Sequence, residues 1–357
     1  MCDINARTLC WVRRFVVATL LAICLAAFPL GQATGAPVET VTNSPWAGPM
    51  STLDPGGPAA RSIAMVWWVM FWGSVVITAG MVALALHAFY RRANPIGDGT
   101  ARQLIIWGGL VLPFAVVAGL LAYGLRAGHA MLPLPSQEDV PAIGLTGHQW
   151  WWEVQYAGED GSTIHGANVI HIPAGRPVDI RIDSADVIHA FWIPRLGGKI
   201  DAIPGRTNVM RVLAEQPGIY RGQCAEFCGA QHARMGLVMI AHADEEAWRA
   251  AVTGLRRERS ISHEAGRDAF AQHCIACHSR DAARRGAGIG PNLANIADRE
   301  SLGAGTLKND FDNLQSWIAD AQAHKPGNHM QDFSHLDQAE IGAIASYLLE
   351  IGTGDAP

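Results

Sequence analysis

The sequence predicts a multidomain membrane protein in three parts: a two-helix transmembrane hairpin, an all-β sandwich and an all-α tail. Two runs, Ile63 to Phe89 and Leu104 to Leu125, are almost wholly apolar and carry no formal charge. From Pro141 to His242 the pattern changes to short β-rich stretches separated by turn residues. Helical periodicity returns at Gly266–Gln272 and again at Leu336–Ile351. An apolar content of 49% against 17% charged residues is high for a soluble protein. The net charge of −5 and the lack of a basic tract argue against a nucleic-acid partner and favour basic protein partners.

Taken in order, Arg7, Arg13 and Arg14 precede an apolar run from Phe15 to Phe28, and small residues follow at Ala33, Gly35 and Ala36. This is the pattern of an export signal over residues 1–36. The run is too short to span a bilayer comfortably. Leu21–Cys24 faintly matches a lipoprotein box, but Ile23 is bulky where a small residue is wanted. Cleavage would leave four cysteines, Cys224, Cys228, Cys274 and Cys277. If cofactors hold all four, the mature chain has no disulfide. Residues 37–62 are rich in Pro, Gly, Ser and Thr and read as an irregular arm. Residues 63–126 form the hairpin; neither run has a polar face, and Pro113 marks a kink. Arg91, Arg92 and Arg102 in the short loop between them mark the cytoplasmic side. Everything after Leu125 is then periplasmic or its equivalent.

Within residues 127–252, strands are expected at Trp150–Tyr156, Ala167–Ile172, Val178–Ile182, Asn208–Leu213, Ile219–Gln223 and Leu237–Ala241. Such a series suggests a β-sandwich. Trp150, Trp151 and Trp152 are consecutive, so alternation sends Trp150 and Trp152 one way and Trp151 the other.

The chemistry concentrates in Cys224-Ala-Glu-Phe-Cys-Gly-Ala-Gln-His-Ala-Arg-Met235. Two thiols, an imidazole and a thioether recur as Cys-x3-Cys-x3-His-x2-Met, a mixture of soft and borderline ligands that suits copper. An outside ligand is needed, and His189 is the natural candidate. It follows an alternating run and precedes Pro194, which puts it at the end of a strand. Cys-x3-Cys alone could be a disulfide, and a Cys2His2 zinc site is the other alternative. Neither needs Met235 or the distant His189.

These residues resemble subunit II of the haem–copper cytochrome c oxidases, which carries the binuclear copper centre CuA. The resemblance spans roughly residues 60 to 250 and includes Gly147-His-Gln-Trp-Trp-Trp152 and Leu196–Arg206. It implies a cupredoxin fold, a Greek-key sandwich that grips copper at one end. It also implies that Cys224 and Cys228 bridge two coppers and that His189 and His232 bind one each. Met235 and the Glu226 carbonyl then complete the shells. By the same resemblance Trp150 lies at the surface above copper and passes electrons inward from docked cytochrome c. The Glu226 side chain would help bind magnesium or manganese at the subunit I boundary, which Lys199, Asp201 and Arg206 also face. Asp186 would contribute to an acidic docking face. One departure is that Arg102–Trp107 lacks the carboxylate often found near the start of the second helix, so no proton-path residue is carried over.

Residues 253–263 are polar and charged and read as a linker. Cys274-Ile-Ala-Cys277-His278 is the signature of covalent haem c attachment. The tail domain, residues 264–357, resembles a class I cytochrome c over roughly residues 264 to 352. The resemblance makes Pro291 the carbonyl that orients His278, and Met330 the distal ligand, with Gln331 standing where a Pro usually follows. His324, His329 and His335 are nearby rivals, whereas His87, His165 and His171 read as structural or surface groups. Acidic residues outnumber basic ones roughly two to one in this tail, which suits a basic soluble donor.

The expectation is an electron-accepting subunit of a respiratory oxidase in the bacterial inner membrane, lipid-embedded, with both soluble domains outside. Electrons would pass from soluble cytochrome c or another c-type donor to the haem, to CuA, and on to oxidase subunit I, with subunit III also in the complex. A CuA-type nitric oxide reductase, a copper-free quinol-oxidase subunit and a nitrous oxide reductase relative are the alternatives. Fusing the carrier to the chain raises its effective concentration.

Overall fold

The computed structural model describes residues 48–90, 96–129, 131–133, 140–256, 263–284 and 289–350. The export signal, the start of the arm, Arg91 and Arg92 lie outside them. The described residues fall into two compact units, one of apolar helical residues 62–131, the other of residues 48–61 and 132–350.

The first apolar helix runs Pro58–Tyr90 and the second Asp98–His129, both long and apolar enough to cross a membrane. At 1.5 Å per residue each is longer than a hydrocarbon core of about 30 Å. The first begins at Pro58, five residues before the expected Ile63 and inside the arm. A proline at a helix start gives up an N–H that would have no partner anyway. Arg102, expected in the loop, lies within Asp98–Leu104 of the second helix. Ahead of Pro113, residues Ile105–Val111 are π-helical, and α geometry resumes at Leu112. A wider turn upstream suits a residue that cannot donate to the ladder. Large apolar side chains such as Met81, Phe89, Leu110 and Phe114 are exposed along both helices.

The β-sandwich consists of a five-stranded sheet, β3-β2-β1-β5-β8, facing a three-stranded sheet, β4-β10-β9, with β6 and β7 paired beside them. The strands are β1 Ala142–His148, β2 Trp151–Ala157, β3 Thr163–Ala167, β4 Val169–Pro173 and β5 Val178–Ser184. They continue as β6 His189–Trp192, β7 Lys199–Ala202, β8 Asn208–Val212, β9 Gly218–Gln223 and β10 Gly236–His242. Alternate residues point inward, so Ile143, Leu145, Trp152, Val154, Ile180, Ile182 and Met239 form one core.

Two expectations change here. Ala167–Ile172 is not one strand: Asn168 turns the chain at φ 60° between β3 and β4, which lie in different sheets. Its side chain accepts from Trp152 N at 2.8 Å, and its own N–H donates to Trp152 O at 2.9 Å. Asn tolerates this conformation better than most residues do. His189 also opens a strand rather than ending one. Residues 184–187 form a side-chain-stapled turn in which Asp186 N donates to Ser184 Oγ and Val187 N to Asp186 Oδ1. These local bonds replace the sheet ladder.

In the tail, helices Glu264–His273 and Gln338–Leu349 cross closely, with Phe311–Ala319 against the second. A Cβ on Gly266 would stand 2.2 Å from Ala343 O, so only glycine permits that crossing. Phe270, Leu314, Ile318, Ile341, Ile344 and Leu348 fill the core between them. Sandwich and tail share one compact unit and are joined by His165 N to Ala282 O at 2.8 Å and Gly236 N to Ala304 O at 2.9 Å. An exposed Arg221–Glu300 pair adds to the seam at 2.6 Å.

Candidate metal centre and the adjoining cavity

Cys224, just after β9, and Met235, just before β10, are brought together by a turn-rich loop, with Cys224 N donating to Met235 O at 2.9 Å. Cys224 Sγ lies 3.8 Å from Cys228 Sγ and 4.0 Å from His189 Nδ1. Cys228 Sγ lies 3.7 Å from His232 Nδ1 and 3.8 Å from Met235 Sδ. The Glu226 carbonyl is 3.3 Å from Cys224 Sγ. A disulfide needs sulfurs about 2.05 Å apart. Ligand atoms about 2.3 Å from a shared ion in tetrahedral array would instead stand about 3.7 Å apart. The spacings therefore suit metal ligands better than a disulfide. His189, Cys224 and Cys228 group as one candidate metal site with His232 and Met235 beside it, and the soft sulfurs suit copper.

His189 is fully buried, and its Nε2 bonds Asp186 Oδ1 at 2.7 Å. This orients Nδ1 toward Cys224, as a carboxylate behind a ligand imidazole does. Burial, the largest single influence, pulls His189 down, but the bonds to Asp186 and Cys224 and the charges behind them together leave the imidazole above its ordinary range. Burial likewise opposes the Asp186 charge, yet bonds from His189, Val187 N and Gln149 N hold it below the usual carboxylate range. Asp186, expected on an outward docking face, is exposed and also anchors His189. The hydrogen bond between the two thiols draws Cys224 down and pushes Cys228 up.

Beside this loop lies a cavity of about 340 Å³ lined by Cys274, Cys277, His278, Pro291, Met330 and Trp150, among others. His278 Nδ1 donates to Pro291 O at 2.8 Å. Burial holds its pKa down, so the neutral ring leaves Nε2 with a free lone pair. A Cβ on Gly290 would come within 2.5 Å of His278 Cε1, so the ring sits directly on that glycine. Burial pushes Cys274 up to about 11. Arg299 on the same wall is buried and its Nε has no partner among the described residues, which suits an acidic ligand edge. Two thiols, a lone-pair imidazole, a thioether and a guanidinium around one apolar space fit a haem. The Met330 loop is tied down by Met330 N to Asn328 Oδ1 at 2.7 Å and Gln322 Nε2 to Met330 O at 2.8 Å. Of the rival histidines, His329 lines the cavity, while His324 bonds Ser316 Oγ and stacks on Trp317.

Residues 159–242 match the family "Cytochrome C oxidase subunit II, periplasmic domain", and residues 263–352 match "Cytochrome c". Cytochrome c oxidase subunit 2 of Alkalihalophilus pseudofirmus is 35% identical over 320 residues, covering 84% of this chain and 90% of the relative. The chain belongs to the cytochrome c oxidase subunit 2 family. The subunit 2 of Bacillus sp. strain PS3 is 30% identical over 71% of this chain and 75% of its own. The crystal structure of the periplasmic domain of subunit II of Bradyrhizobium japonicum cytochrome oxidase is 31% identical. It covers 34% of this chain and 98% of that one, with a TM-score of 0.31. The protein is thus a component of an oxidoreductase complex, with a cupredoxin-like sandwich and a cytochrome c domain whose families imply copper and haem c.

In this chain, Trp150 departs from expectation. It precedes β2, is buried at 7% exposure, and lies under the cytochrome c domain. Its ring centroid is 6.2 Å from that of His329, and its Nε1 donates to Cys228 O at 3.1 Å. Gln149 Nε2 donates to the same carbonyl at 2.7 Å. Trp151 also lines the cavity and stacks on His148 at 4.3 Å, while Trp152 is core. The Glu226 carboxylate is partly exposed, with Lys199 Nζ at 3.6 Å. His165 and His148 both bond the buried Glu153, and His171 bonds His242 at 2.9 Å.

Proposed function

We propose that this chain receives electrons from an external c-type donor and relays them to the oxygen-reducing catalytic subunit of a terminal oxidase. In this reading Cys274, Cys277, His278 and Met330 hold a haem c, which supplies a one-electron carrier at the cavity. His189, Cys224, Cys228, His232, Met235 and the Glu226 carbonyl hold a binuclear copper centre, which supplies the second. Trp150 carries the proposal, because one indole lines the cavity and bonds the carbonyl of Cys228. It offers a path from the wall of the cavity to the copper-type ligand loop. Asp186 and Gln149 hold that path rigid through the bonds described above.

Since the cytochrome c domain covers Trp150, an external donor delivers to the tail and not to the indole. Loop residues around His232 and the exposed Phe227, at 76% exposure, then remain to face the catalytic subunit. A magnesium or manganese ion at the Glu226 carboxylate would need further ligands from that subunit. The chain is anchored by its two apolar helices in the bacterial inner membrane, with both cofactor domains on the outer face.

The test is metal analysis with electron paramagnetic resonance and haem staining of the purified complex. Two coppers sharing one unpaired electron and one covalent haem per chain are expected. A single mononuclear copper signal, or a Cys224–Cys228 disulfide in the active complex, would refute the reading.

A further inference from the structure

The seam between the two cofactor loops contains an unusual group. Lys325 is 3% exposed, although lysine is almost never fully buried without a partner. Its Nζ donates to three backbone carbonyls: Trp150 O at 2.8 Å, Arg234 O at 2.6 Å and Gly303 O at 2.8 Å. The first two belong to the sandwich, one at the indole and one beside Met235. The third belongs to the tail. All three ammonium donors are satisfied, by carbonyls from both sides of the seam.

The bonds also run in the other direction. Gln231 Nε2 donates to Pro326 O at 2.6 Å, and the Arg234 guanidinium donates to His324 O. Residues 324–326, which lead into Met330, are therefore stitched to residues 231–234, which lead into Met235. Burial draws Lys325 down to about 7, in keeping with its 3% exposure.

We propose that Lys325 is a positioning residue that locks the haem-bearing loop onto the copper-bearing loop, fixing the gap that Trp150 bridges. This rests on the electron-relay reading above. Lys325 touches neither set of ligand atoms; it acts through Trp150 and Arg234.

The test is Lys325→Met in the full complex, which keeps the aliphatic stem and removes the donors. Hydrogen exchange should quicken by about tenfold or more at residues 149–151, 303–304 and 324–328, the size expected from losing a buried charged hydrogen-bond set. Copper and haem spectra should be unchanged, and haem reduction by a soluble donor should keep its rate, while electron transfer from haem to copper slows. Unaltered exchange in those segments, or unaltered internal transfer, would overturn the proposal. Should Lys325→Met fail to fold, Gln231→Leu cuts a second stitch in the same seam. A smaller rise in exchange at 324–328 is then expected, and none would overturn it. If the wild-type complex lacked the copper or haem spectrum, the relay reading would fail, yet the exchange pattern would still decide whether Lys325 holds the seam.

Discussion

Gly147 offers a direct way to disturb the metal centre without touching a ligand. It lies in β1 beside His189, and a Cβ built there would stand 2.7 Å from His189 Cδ2 and 3.0 Å from its Cγ. Ordinary carbon contacts are about 3.5–4.0 Å, so the imidazole would have to move by about 1 Å. It has little freedom to do so, being fully buried and bonded to Asp186. Gly147→Ala should therefore overpack the site at a cost of about 1–3 kcal/mol. For a unit of this size that lowers the melting temperature by a few degrees, about 2–4 °C per kcal/mol. Gly166→Ala is the control in the same sheet, because its Cβ would meet nothing closer than Val154 Cβ at 3.9 Å. Copper titration and calorimetry of both variants should show weaker loading and an altered copper spectrum in Gly147→Ala alone. Equal loading, spectrum and melting temperature in the two would refute the placement of His189 as a ligand.

Gly290→Ala should displace His278 from the Pro291 carbonyl, and the optical spectrum of the haem should report a changed proximal bond. Trp150→Phe should cost about 1 kcal/mol of stability for the lost indole bond, since Cys228 O keeps Gln149 as a donor. Trp150→Leu should slow haem-to-copper transfer more than Trp150→Phe does, by flash-initiated kinetics. His171 is held at about 4 by burial and then by the charge of His242. The folded protein thus binds fewer protons than the unfolded chain between about pH 6.5 and 4. The resulting stability is complete above that window and is lost as pH falls through it, up to about 3 kcal/mol. Urea midpoints measured across that range should depend less on pH in His171→Asn.

Much of this arrangement could be read in the chain itself, since charge-free runs, strand alternation and ligand spacing are local patterns. The copper-type donor set and the haem signature were legible because soft ligands at short spacing have few other uses. What escaped was tertiary. Ala167–Ile172 alternates like one strand, and only the left-handed turn at Asn168 sends its halves to different sheets. His189 follows a β-branched run, but Ser184 and Asp186 break that run with side-chain bonds. Asp186 is exposed, as a surface carboxylate should be, but nothing in sequence shows that His189 turns its Nε2 toward it. Trp150 was expected at an open surface; the tail that buries it lies some 175 residues further along the chain. A lysine before a proline reads as solvated, and Lys325 is buried only because two domains meet around it.

The most direct measurement is a one-electron injection into the oxidised complex, followed optically at the haem and at copper. Haem reduction is predicted first, with copper then reduced at a rate independent of donor concentration and slowed in Trp150→Leu. Copper reduced ahead of the haem, or at a rate that rises with donor, would contradict the relay through Trp150.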